Sequence, residues 1–312
     1  MPVVELDSRK PGDDAPKTIA ARMGSLFPRC ANPGCATGWI RLWRNRSVPG
    51  FEGGWACSAE CMEDLVATAV RREMDGSDRM PSPWSHRVPV GLMLVEQGKI
   101  TPAQLHAALA DQRRAAENGG ETARLGEWLL RSGVLSEPAL TRVLSSQWNC
   151  PVLTMDGFQP AEVAGALPIF LSEAFGAVPV GSPGGRMLYV AFFGRVDRSV
   201  SYAVERITGL RVAAGIAGDS ALRAAQELYL ATEGPQVRFL EAPDSWSLVR
   251  AIARRIEAVR PVNARLVRIH DYYWLRFWRR WIPGGGLPSP DDVEDLVASV
   301  GIRPEGKDGI SG

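Results

Sequence analysis

The sequence predicts an α+β chain built of several modules, and three observations carry that prediction. Four cysteines fall in two close pairs near the N-terminal side, Cys30 with Cys35 and Cys57 with Cys61. A helical unit spanning Val90 to Gln147 is written twice. Behind it, short β-rich runs alternate with helical ones as far as Leu230. Six residues establish the duplication. Gly91, Leu94, Gly98, Leu105, Leu109 and Gln112 return as Gly126, Leu129, Gly133, Leu140, Leu144 and Gln147, each 35 positions later. The predicted organisation is a small four-cysteine module, a tandem helical hairpin repeat, a small α/β domain and a mixed C-terminal tail.

Length and composition set the outer bounds. With 312 residues the chain has room for two or three domains. A net charge of +1 with 45% apolar residues is an ordinary soluble balance. It makes nucleic acid or an anionic membrane an unlikely main partner. Apolar runs stop well short of the roughly 18 residues a membrane helix needs, so no transmembrane segment is expected. Met1 to Pro16 carries acids and prolines without an apolar stretch, unlike a signal peptide. The expected location is cytoplasmic.

Residues 1–20, punctuated by Pro11, Gly12 and Pro16, are expected to be disordered. The cysteine module covers residues 25–74. In a reducing compartment, paired cysteines read first as metal ligands, the alternative being buried or redox-active thiols. Four thiolates suit tetrahedral zinc in a closed, structural site. Asn32-Pro33-Gly34 supplies a tight turn. Residues 39–43 and 50–55 are the expected strands of a hairpin. Ser58 and Glu60 open a helix through Val70, which places Cys57 and Cys61 at its N-terminus, where the dipole favours thiolate. This order of knuckle, hairpin and helix resembles a treble-clef zinc finger. Residues 75–88, with Gly76, Pro81 and Pro83, read as a linker.

The repeat covers residues 89–149. Each unit is a short helix, a glycine stop and a longer helix. In the first, Gly98 sits where a left-handed cap is wanted. Thr101, Pro102 and Gln104 then make a capping box, and Leu105, Ala108, Leu109 and Gln112 share one helical face. The second repeats this with Gly133, a Ser136 cap, Leu140, Val143, Leu144 and Gln147. Gly91 and Gly126 lie near the start of the short helices, where glycine costs about 1 kcal/mol against alanine. Something approaches the backbone there, either a partner helix or a ligand using the free N–H groups.

Arg124-Leu125-Gly126, then Leu129, Gly133, Leu140, Leu144 and Gln147, resembles the nucleotide-binding motif of MshEN-type domains. These stand at the front of the ATPases that drive type II secretion and type IV pilus assembly. The resemblance implies that two such motifs bind one cyclic-di-GMP, with leucines on the purine faces and glycine admitting the backbone. An arginine matches the O6/N7 edge of guanine. By resemblance the nucleotide-binding residues are Arg124, Leu125, Gly126, Leu129, Gly133 and Gln147, together with Gly91, Leu94, Gly98 and Gln112. The first half-site departs from the pattern, with Pro89 for arginine and Val90 for leucine; Arg87 is the nearest guanidinium in sequence.

Residues 150–232 are expected to alternate strand and helix. The predicted pieces are a strand over 151–155, helices over 161–167 and 169–175, and a hairpin of 177–180 with 187–192. A helix over 199–208, a strand over 210–216 and a helix from Asp219 to Leu230 complete them. Pro168, Ala177-Val178-Pro179, Thr208-Gly209-Leu210 and Leu228-Tyr229 resemble the small α/β domain that follows the tandem motif in the same ATPases. Cys150 reads as a small buried residue.

In residues 236–312 an amphipathic helix spans 246–259, two strands turn near His270-Asp271, and a last helix spans 291–300. Arginines and aromatics fill 265–281. Such a strip reads as a packed sheet with arginine stems across rings; the alternatives are single-stranded nucleic acid or a membrane interface. The helix-then-strands order is similar to the segment that leads into the motor of those ATPases. The motor itself is not expected. Gly301 to Lys307 spells G-x4-G-K, but Asp308 stands where a P-loop needs Ser or Thr. No acid, base or nucleophile set stands out. The expected function is a non-enzymatic regulator or adaptor whose partner belongs to a secretion or pilus system, the alternative being a ligand-free zinc-finger scaffold.

Overall fold

A computed structural model describes residues 30–35, 48–78, 87–119, 123–281 and 286–301. The predicted disorder of residues 1–20, the strand over 39–43, most of the linker and the glycine-lysine run at 301–307 lie wholly or largely outside these residues.

The first element is a tight hairpin, β1 (Gly50–Phe51) with β2 (Gly54–Trp55). The stretch expected to form one strand therefore turns on itself. Glu52 (φ 50°) and Gly53 (φ 75°) both sit in the left-handed region that such a turn requires. Helix α1 (Ala59–Asp78) follows. It runs through the first four residues of the stretch read as a linker, since one glycine, Gly76, does not outweigh the helix around it.

The tandem unit comprises α2 (Val90–Glu96), α3 (Pro102–Glu117), α4 (Leu125–Arg131) and α5 (Glu137–Trp148). Gly98 (φ 64°) and Gly133 (φ 69°) end the short helices in the left-handed conformation. The Thr101–Gln104 capping box forms as expected. Ser136 occupies the matching position without a side-chain cap bond. The two units are exchanged in space: α2 packs on α5, and α4 packs on α3. Leu94, Leu105, Leu129, Leu140 and Val143 close a separate small core between them.

The α/β unit comprises α6 (Pro160–Val163), α7 (Ile169–Phe175), β3 (Ala177–Gly181), β4 (Met187–Phe193), α8 (Arg198–Thr208), β5 (Arg211–Ala217) and α9 (Asp219–Leu230). Its sheet order is β3-β4-β5, antiparallel then parallel, with α8 as the crossover. The strand expected over 151–155 reduces to one parallel bridge, Val152 to Ile216. Pro151 has no N–H to extend the ladder, and Asp156-Gly157 turns the chain away.

The C-terminal unit comprises β6 (Gln236–Ala242), α10 (Ser245–Val259), β7 (Asn263–Ile269), β8 (Tyr272–Trp278) and β9 (Val293–Val300). Its sheet order is β6-β9-β8-β7. Two expectations change here. β6 was not anticipated, and the helix expected over 291–300 is the strand β9. Val293, Leu296, Val297 and Val300 carry helical spacing. As an interior strand, however, β9 is buried on both faces, and both of its acids find arginines inside. One face of this sheet meets α1 and α10 in a single core containing Met62, Val66, Ile252, Leu266 and Leu275. The other face joins the α/β unit through Val267, Ile269, Trp274 and Val297. The cysteine module is thus no separate body. It supplies the second helix of the C-terminal unit.

Candidate functional site

Two sites were expected; the structure brings the four cysteines of the first together, and the residues named for the second lie in or next to the helices of the tandem unit. At the first, the sulfurs of Cys30, Cys35, Cys57 and Cys61 all lie within 4.8 Å of one another. Cys35 Sγ stands 3.4 Å from Cys57 Sγ, and Cys57 Sγ 3.7 Å from Cys61 Sγ. A disulfide needs about 2.05 Å, so these are free thiols. Tetrahedral zinc with Zn–S of about 2.3 Å sets sulfurs roughly 3.8 Å apart, so the group fits such an ion. Local sequence builds the cage. Asn32 turns its chain by accepting from Gly34 N at 2.9 Å, and its amide anchors to Asp64 at 2.8 Å on α1. Ser58 Oγ accepts from Cys61 N at 3.2 Å at the start of α1. The Cys57 N–H points at Cys30 Sγ, 3.4 Å away. Burial pushes the Cys30 thiol pKa up. A metal binding there therefore displaces a proton.

At the second site the repeat symmetry extends to individual hydrogen bonds. Gln112 donates to Ala123 O at 2.8 Å, and Gln147 donates to Val88 O at 2.7 Å. Each long helix thus clamps the chain leading into the other unit's short helix. Gly91 and Gly126 answer to the same symmetry. A Cβ on Gly91 would stand 2.8 Å from Leu105 Cδ1, and one on Gly126 2.8 Å from Leu140 Cδ2. Leu94 and Leu129 are fully buried, whereas Leu109, Leu125 and Leu144 keep partial exposure.

Arg124 is exposed at the position preceding α4 and reaches Phe193 O of the α/β unit at 3.4 Å. Pro89 holds the same position before α2 with similar backbone angles. Arg87, the nearest guanidinium in sequence, lies against Gln147 and Trp148. It donates to Gln147 O at 2.7 Å and stacks 3.8 Å over the Trp148 ring.

Sequence reasoning missed the seam beside Arg124. Glu137 of α5 accepts from Ser220 N at 2.7 Å and from Ser220 Oγ, holding the start of α9. Burial raises the pKa of neighbouring Asp219, against Arg223, and the charges of Glu137 and Glu127 add to the rise. A groove of about 710 Å³ runs along this seam between α5, residues 152–158 and α9. It does not include Arg124, Gly126 or Gln147. Glu137 in the first turn of a helix was the one legible signal, and a capping acid pointing at a different helix carries no sequence mark.

No protein-family model matches the chain. The type IV pilus assembly ATPase PilB of Myxococcus xanthus (strain DK1622) is 30% identical over 152 residues, 47% of this chain and 25% of that protein. The chain thus spans about a quarter of the length of the curated relative it matches. A solved structure of MshE with cdg aligns at 26% identity over 46% of this chain and 99% of that one, with a TM-score of 0.37. The N-terminal domain of XpsE aligns at 20% identity over 44% and 91%, with a TM-score of 0.32. The sequence similarity agrees with the motif: about half of this chain is similar to a part of a type IV pilus assembly ATPase. Among the described residues no helix is long and apolar enough to cross a membrane.

Proposed function

We propose that the chain is a non-enzymatic regulator or adaptor of a secretion or pilus system that binds cyclic-di-GMP through the tandem unit and carries one structural zinc. The observation that carries this reading is the complete second motif, with its arginine exposed at the seam. Arg124 is exposed at the start of α4 and touches the α/β unit by the 3.4 Å contact to Phe193 O, with Asp219 near enough for its charge to be felt. A guanine edge offers that guanidinium a bidentate partner, stronger than one long bond to a carbonyl. Ligand capture would then release the seam and alter how the tandem unit sits on the α/β unit. A switch of this kind requires unequal affinity for the two arrangements. In this reading the zinc occupies Cys30, Cys35, Cys57 and Cys61, and the partner is a protein of the assembly machinery.

Thermal unfolding with and without cyclic-di-GMP tests the proposal. Saturating nucleotide at about 100 times Kd adds roughly 2.7 kcal/mol to the native state. The wild type should therefore melt several degrees higher with nucleotide, and Arg124→Ala should show no such shift. An equal shift in both proteins would remove Arg124 from the site.

A second reading, a ligand-free scaffold for protein contacts, is favoured by Pro89 at the first half-site and by the internal use of Gln112 and Gln147. It predicts no shift in either protein.

A further inference from the structure

β7 stands at the edge of the four-stranded sheet, and an open edge invites pairing with another chain. Its outer rim is nevertheless closed along its length by the cysteine module. Gly50 N donates to Pro261 O at 2.9 Å, and Glu52 N donates to Ala264 O at 2.7 Å. Beyond this point side chains continue what the short strand β1 begins. Glu52 Oε1 accepts from Leu266 N at 3.0 Å, and Glu73 Oε2 accepts from Arg268 N at 3.1 Å. Arg72 donates to Leu266 O at 3.4 Å, and Asn263 Oδ1 accepts from Gly53 N at 3.1 Å. The outward-facing backbone groups of residues 264, 266 and 268 thus meet the module in turn. The approach is close: a Cβ on Gly50 would lie 2.2 Å from Val262 O. Arg206 of α8 joins the same carboxylates, 3.1 Å from Glu52 and 3.8 Å from Glu73.

Glu52 sits on the β1–β2 turn, and Glu73 lies far along α1. Both reach β7 only if hairpin and helix keep a fixed angle. That angle is set at the cysteines: Cys57 stands between the two elements, Cys61 lies in the first turn of α1, and Ala31 N donates to Trp55 O at 2.8 Å to bring in the knuckle. We infer that a metal held by the four cysteines is the latch that keeps Glu52 and Glu73 over the β7 edge, so that metal loss opens this edge of a sheet some 200 residues away in sequence. The inference rests on the metal reading above and is independent of the nucleotide.

Hydrogen exchange on the full chain, before and after zinc removal by a chelator and with zinc content measured, tests it. With zinc removed, the Leu266 and Arg268 amides should exchange at least about tenfold faster, while the β4–β5 and β8–β9 ladders hold their protection. Glu73→Ala should retain zinc yet speed Arg268, because its acceptor is gone. Zinc that leaves without any change at Leu266 and Arg268 overturns the latch and spares the metal site. Protein isolated without zinc overturns both. Equal deprotection of β4 and β5 would mean that the whole chain melts, which also contradicts a local latch.

Discussion

At the scale of residues, the structure ranks positions that the sequence leaves equal. Gly126 lies in α4 and Gly165 in the turn after α6; a Cβ on Gly126 meets the tip of a leucine, whereas one on Gly165 would stand 2.1 Å from Pro288 O. A leucine tip can move and a backbone carbonyl cannot. Gly126→Ala should therefore change stability by less than about 1 kcal/mol, the helix gain offsetting the repacking. Gly165→Ala should cost several times more in denaturant unfolding. Asp295 is a second such position. It is fully buried, accepts from Arg276 at 2.8 and 2.7 Å and from Trp274 Nε1 at 2.8 Å, and holds Arg276 against Gly165 O. Asp295→Asn leaves that guanidinium buried without its counter-charge and should cost about 3–5 kcal/mol. His270 (φ 51°) donates from Nε2 to Asp197 Oδ2 at 2.7 Å, tying the β7–β8 turn to the start of α8. The Asp197 hydrogen bond raises the His270 pKa against burial. Burial would raise Asp197, but the His270 bond and charge and the Val200 and Ser199 N–H groups outweigh it and hold the carboxyl low. The histidine contribution is complete below its unfolded pKa of about 6.5 and is lost as pH rises through the higher folded value. Thermal stability should therefore fall as pH rises above about 6.5, by an increment absent in His270→Asn, a residue that tolerates the left-handed turn.

At the scale of elements, the helices were legible wherever caps and periodicity agreed. Thr101-Pro102 with Gln104, Gly98 and Gly133 carry their boundaries in local chemistry. What was not legible depended on partners. β9 has the spacing of a helix, and only the arginines of β6, α10 and β8 around Glu294 and Asp295 make its acids compatible with an interior strand. β6 was missed because its alternation is blurred: Phe239 is exposed at 63% and rests edge-on against Phe170, with ring centroids 5.0 Å apart. The candidate nucleotide residues came from the resemblance of the second unit to the MshEN-type motif, and the repeat, legible as identity at one offset, marked their counterparts in the first unit. It did not give the exchanged packing of α2 on α5 and α4 on α3, nor the two glutamine clamps. Removing one clamp by Gln147→Ala should loosen the chain before α2 and speed exchange near Val90 while leaving α4 protected.

For the whole molecule, the order of modules along the chain is not their order in space. The cysteine module and the C-terminal sheet, far apart in sequence, share one core, and the α/β unit lies against the sheet's other face. The tandem unit has its own small core and joins the α/β unit through Trp148 and Leu144 of α5, which pack into the α/β core, and through Arg124 to Phe193 and Glu137 to Ser220. A ligand acting at Arg124 would act at this seam, and would shift it only if it bound the two arrangements with unequal affinity. The most direct test is calorimetric titration of the full chain with cyclic-di-GMP. The account predicts one nucleotide per chain at micromolar Kd or tighter, and loss of the heat signal in Arg124→Ala. A wild-type titration without heat, with no competition against a labelled cyclic-di-GMP, would contradict it and leave the tandem unit as a packing element of a scaffold.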